Sequence, residues 1–169
     1  MANHKPRELF TQGHKRKFLI IVDESAEGET ALFYAARRAR RTGGGLAFLF
    51  VIQPAEMSHW LGVGETFREE QYNKARAVFR LRSRKLKTWG FGDIVPEEII
   101  REGHMAEEIV KLIEEDEDFG ILVLGACADA SGPGPLVSSL AAGAKAGTFP
   151  IPITIVPGNL TLEEISGLA

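Results

Sequence analysis

Two stretches of the chain carry polar residues where an anion or a small polar ligand can be met. In the first, the apolar run KFLIIV (17–22) gives way to Asp23 and Ser25, which sets a carboxylate and a hydroxyl at the end of a hydrophobic segment. The second is GACADASGPGPLVSSLAAG, Gly125 to Gly143, directly after the apolar FGILVL. Gly125, Ser138 and Ser139 sit where a chain can wrap phosphates, because amides and hydroxyls at a helix start are anion donors. The charge of the loop argues the other way. No lysine or arginine follows until Lys145, and Asp129 lies in the middle. A carboxylate beside a triphosphate is repulsive unless a cation such as Mg²⁺ intervenes. Other chemistry is sparse. Cys127 has no basic neighbour in sequence to activate it and reads as a bystander. His4, His14, His59 and His104 are isolated, without metal-ligand spacing. His59 and Trp60 read as a loop anchor, with a lid as the alternative. No nucleophile, base and orienting group can be assembled, so no catalytic residue is assigned.

The elements that must position these residues alternate. KFLIIV reads as a buried parallel strand, and Asp23 or Ser25 can cap the helix after it. Ala31, Leu32, Ala35, Ala36 and Ala39 mark one face of that helix, which TGGG (42–45) terminates. LAFLFVI (46–52) is a second strand. A long helix runs from Glu65 to about Trp89, with Phe67, Ala75, Val78, Phe79, Leu81 and Leu86 as its inner positions. IVPEEIIREG (94–103) is a third strand, placed at a sheet edge by Pro96. A helix follows with Ile109, Val110, Leu112 and Ile113 inward. FGILVLG (119–125) is a fourth strand, residues 136–146 a small-residue helix, and IPITIVP (151–157) a fifth strand. Residues 1–16 and 158–169 read as tails around a single domain, 17–157. This alternation predicts an α/β fold: a parallel sheet with helices on both faces, and ligands at the carboxyl edge of the strands.

With 169 residues, 44% of them hydrophobic and 25% charged, the chain can bury a genuine core. No apolar run approaches the ~20 residues of a membrane helix, and MANHKPRELFTQGHKRK lacks the apolar stretch of a secretory signal. One cysteine suits a reducing compartment, so a cytoplasmic location is expected. The formal net charge of −3 conceals a split. Residues 1–90 hold 17 Lys/Arg against 9 Asp/Glu, whereas residues 91–169 hold 3 against 14. The basic runs RRARR and RLRSRKLK alternate with apolar helix positions and read as solvated faces. No aromatic-rich basic patch points to nucleic acid.

Several nucleotide-binding families are excluded by residue. No G-x-x-x-x-G-K-[ST] occurs, and DESAEGET after the first strand is not G-x-G-x-x-G. FLIIVDES is similar to the first strand of a phosphoacceptor receiver, but the central strand ends in Gly125 rather than aspartate and TIVPGN lacks the lysine. The chain instead resembles the universal stress protein family from about Lys17 to Pro157. The resemblance rests on three blocks in order: KFLIIVDESAEGETALFYAARRARRTGGGLAFLFVIQP, IIREGHMAEEIVKLIEEDEDFGILVLGA and FPIPITIVP.

The resemblance implies a five-stranded parallel sheet of order 3-2-1-4-5. It also implies a nucleotide loop of pattern G-x₂-G-x₉-G-[ST] after the fourth strand. Its four positions fall, without a gap, on Gly125, Ala128, Ser138 and Ser139. Two of the three glycines are replaced. If the Ala128 position requires positive φ, alanine costs about 1 kcal/mol or more there. The Ser138 hydroxyl can meet a phosphate or cap the helix instead. By the same resemblance Asp23 faces the adenine amino group and the Val51 backbone meets the base edge, with Ser25 close enough to join them. The implied protein is a stress-response regulator binding ATP or AMP, with Mg²⁺ where Asp129 requires it, and hydrolysing ATP slowly at most. It dimerises through the last strand, 151–157. The alternative is a dimeric interaction protein whose loop has lost nucleotide and whose surfaces recognise a protein partner.

Overall fold

The computed structural model describes residues 4–53 and 64–169. Its centre is a sheet of five parallel strands in the order β3-β2-β1-β4-β5. These are β1 (Lys17–Ile21), β2 (Gly45–Ile52), β3 (Glu97–Glu102), β4 (Phe119–Ala126) and β5 (Ile153–Pro157). The helices are α1 (Ala26–Thr42), α2 (Gly64–Thr88), α3 (Met105–Glu115) and α4 (Leu162–Leu168). Successive strand residues point to opposite faces, so β1 divides its side chains between two cores. Phe18, Ile20 and Val22 pack with α1, α2 and α4. Leu19 and Ile21 pack with α3 and with Val137 and Leu140 of the loop after β4. Continuous apolar runs are what a strand covered on both sides requires.

β3 and β5 are the sheet edges. Pro96 lies just outside β3, which starts at Glu97. The small-residue helix expected over 136–146 is replaced by a single π-helical turn, Val137–Ala141, and a short 3₁₀ turn, Ala146–Thr148. Only Val137 and Leu140 bury there, so no apolar stripe holds a longer helix. The chain also closes tightly: a Cβ on Gly143 would lie 2.4 Å from the Ser139 carbonyl oxygen.

Both presumed tails are docked. Residues 158–169 fold into α4, closed by a capping box in which the Thr161 hydroxyl accepts from the Glu164 amide and the Glu164 carboxylate accepts from the Thr161 amide. Ile165 and Ala169 bury in the α1 core. At the other end, the Arg7 guanidinium donates to the carbonyls of Ile113 and Asp116 at the end of α3 and of Phe119 at the start of β4. Lys5 pairs with Glu117, and His14 with Asp118 at 2.7 Å.

Candidate functional site

The strand order reverses at β1, with β2 on one side and β4 on the other, and the crevice opens beyond their carboxyl ends. Asp23 stands in it. Its carboxylate Oδ1 accepts from the Ser25 amide at 2.9 Å and from the Ser25 hydroxyl at 2.5 Å. Ser25 is the N-cap of α1, its Oγ accepting from the Gly28 amide at 3.1 Å. The two residues therefore form one hydrogen-bonded turn, and one carboxylate oxygen remains to face the crevice.

The turn is fixed from behind by a residue on α2. Arg82 is only 2% exposed. Its Nε donates to the Asp23 carbonyl at 3.1 Å, one terminal nitrogen reaches that carbonyl at 2.5 Å and the Ser25 carbonyl at 2.9 Å, and the other pairs with Glu29 at 3.3 Å. The reading of RLRSRKLK as a solvated face does not hold for this arginine. It falls in the stripe of Ala75, Val78, Phe79 and Leu86, and that spacing was the signal for an inner position.

Val51 lies on the other side of the crevice, buried. Leu49 accepts from Val22, and Ile52 accepts from Gly103 of the β3 side. Backbone groups alternate along a strand, so the Val51 amide and carbonyl point to the β1 side, level with the place where the chain turns away at Asp23. A cavity of about 300 Å³ joins Asp23 and Val51 and is also lined by Glu24, Gln53, Gln71, Lys74 and Met105. Gln71 and Lys74 come from α2 and carry no motif; only the fold brings them here.

On the β4 side the crevice is narrow. A second cavity of about 90 Å³ lies between the start of α1, Gly125 and Pro133–Val137. Ile21, Asp23, Pro135 and Leu136 line both cavities. Gly125 has a packing role, since a Cβ there would lie 2.1 Å from the Glu27 carbonyl oxygen. Ala128 is exposed and adopts negative φ, as does every other non-glycine residue described. The left-handed positions of the loop are Gly132 and Gly134, with φ of 111° and 101°. Ser138 is exposed, its amide bonded to the Gly134 carbonyl. Ser139 is also exposed and lines a different hollow, with Lys111, Thr148 and Phe149.

Thus Asp23, Ser25, Val51 and Gly125 gather around the crevice, while Ala128, Ser138 and Ser139 line neither of its cavities. His59 and Trp60 lie outside the described residues. Among the described residues no group of three metal-ligating side chains occurs, and no helix is long and apolar enough to cross a membrane.

Known proteins share this architecture. UspA of Lactobacillus plantarum, a universal stress protein, superposes with a TM-score of 0.64 at 18% identity, over 83% of this chain and 97% of its own. A universal stress protein in complex with cAMP gives 0.55 at 18%, over 83% and 96%. An Arabidopsis thaliana family member with AMP bound gives 0.51 at 14%, over 84% and 91%. No curated protein sequence gives a significant match. The sequence model of the universal stress protein family matches residues 15–157, which hold all five strands and the crevice. The chain belongs to the universal stress protein family.

Proposed function

We propose that this protein is an adenine-nucleotide-responsive regulator that binds the base between Asp23 and Val51. The observation that carries the reading is the cavity of about 300 Å³ at the strand-order reversal, a volume at the lower bound of small-ligand sites. The Asp23 carboxylate is oriented there to accept from an exocyclic amine, and the Val51 backbone offers a donor and an acceptor to a base edge. Relatives in complex with AMP and cAMP support the same ligand class. On the phosphate side, Gly125 keeps the β4 end close to α1, and the hydroxyls of Ser138 and Ser139 approach a ligand only if the loop is rearranged. AMP needs little of that side. ATP places its outer phosphates near Asp129, where Mg²⁺ is the natural bridge. The protein acts by binding, with ATP hydrolysis slow at most, and works in the cytoplasm as a homodimer joined along β5.

Isothermal titration with AMP and with ATP, with and without Mg²⁺, tests this reading. Binding in the micromolar range is expected, weakened about tenfold or more by Asp23→Ala through loss of a charge-assisted hydrogen bond. Absence of heat from the folded wild-type protein overturns it. The small volume of the β4-side cavity, about 90 Å³, favours the alternative in that case: an interaction protein without nucleotide, whose surfaces engage a protein partner.

A further inference from the structure

The charge split of the sequence becomes a difference between surfaces. The acidic run Glu114–Asp118 is largely neutralised within the molecule: Glu115 by Arg101, Asp116 by Lys17, Glu117 by Lys5 and Asp118 by His14. The basic run of α2 is not. Between Lys74 and Lys87 the helix has seven Lys/Arg and no acidic residue. Lys74 lines the crevice cavity, Arg82 is spent on the Asp23 turn and Lys85 reaches Glu29 at 3.4 Å. Arg76, Arg80, Arg84 and Lys87 remain, all exposed. Among the described residues none of these four has a carboxylate within ion-pair distance. Their spacing of four, four and three sets them in one stripe along the helix, ~16 Å long at 1.5 Å per residue. Ala77 and Leu81 run beside it, and Leu81, expected from the sequence to face inward, is instead 40% exposed.

We infer that this face of α2 is a docking surface for an acidic, amphipathic segment of a partner protein. Carboxylates four residues apart on a partner helix match the arginine spacing, and an apolar side chain between them covers Leu81. An extended nucleic acid fits less well. Its charge continues beyond the stripe, over a molecule of net charge −3, and its phosphates make no use of the exposed leucine. A second copy of the chain fits less well too, because its acidic run is already paired.

The test uses the full chain and a fluorescein-labelled peptide of about 15 residues, enough to span the stripe as a helix, with glutamate at every fourth position and leucines between. Fluorescence anisotropy should show saturable binding that weakens with salt. Arg80→Glu with Arg84→Glu should weaken it about tenfold or more, while Lys145→Glu, an exposed charge on the other face, should leave it within about twofold. Leu81→Ser should weaken the peptide but not a DNA duplex of equal charge. These side chains are exposed, so thermal midpoints at the wild-type value confirm that the variants are folded. The proposal fails if no peptide binding is detected up to about 1 mM, or if the charge reversal has no effect. It fails equally if the duplex, or vesicles of anionic lipid, bind as tightly as the peptide.

Discussion

A guanidinium taken out of water is stabilised only where acceptors surround it, and Arg82 finds them in the Asp23 and Ser25 carbonyls and in Glu29. Arg82→Met should therefore destabilise the protein by about 1–3 kcal/mol, since it leaves the Asp23 carbonyl without its donor; urea unfolding measures this. Gly125 invites a similar comparison. Its family position suggests phosphate contact, but its surroundings show a backbone collision for any Cβ. Gly125→Ala should cost about 2–3 kcal/mol without any ligand present, whereas the exposed Ser139→Ala should stay within about 0.5 kcal/mol. Thermal unfolding of the two variants side by side separates a packing glycine from a surface serine. At this scale the sequence was partly legible. Asp23, Ser25 and Val51 stand at the ends of apolar runs and could be placed by reading alone. Gln71 and Lys74 reach the crevice only through the packing of α2, which no local pattern encodes.

The strands were legible as elements because each is a short apolar run bounded by turn residues; Pro96 marked the β3 edge, and the order 3-2-1-4-5 came from the family resemblance. The loop after β4 was not. Alanine, serine and glycine give it no period, so its course depends on where Val137 and Leu140 find core, and one π-helical turn suffices. The terminal segments were misread for a related reason: their anchors are single residues, Arg7 and Ile165, rather than stripes. The amino-terminal anchor is pH-sensitive. A hydrogen bond donated to the Asp118 carboxylate, together with that carboxylate's charge, raises the His14 pKa above its ordinary 6.5. The ion pair accordingly contributes fully below pH 6.5 and is lost as pH rises through the raised value. An NMR titration of the His14 ring should show the upward shift, and Asp118→Asn should return it to the ordinary range. Hydrogen exchange in residues 4–16 should speed up as His14 loses its proton.

Across the whole molecule, the two faces of the sheet differ in charge and the two edges differ in what they expose, Glu97 and Glu98 on β3 against Ile155 on β5. α1 and α2 bring the basic residues to one side, and α3 brings acidic ones to the other. β5 presents an unpaired edge with Ile155 41% exposed, a surface that natural sheets cover. If that cover is a second copy, Ile155→Lys should turn a dimer into a monomer in sedimentation equilibrium at micromolar concentration, with the fold intact by circular dichroism. The Arg82 anchor also has a consequence for cooperativity. Because the Asp23–Ser25 turn is held from α2, that helix cannot peel from the sheet while the turn keeps its shape. The longest helix and the crevice thus belong to one subglobal opening unit. Any ligand that steadies the turn lowers the population of the open form of α2, and so shields from proteolysis the last turns of that helix, which do not line the cavity.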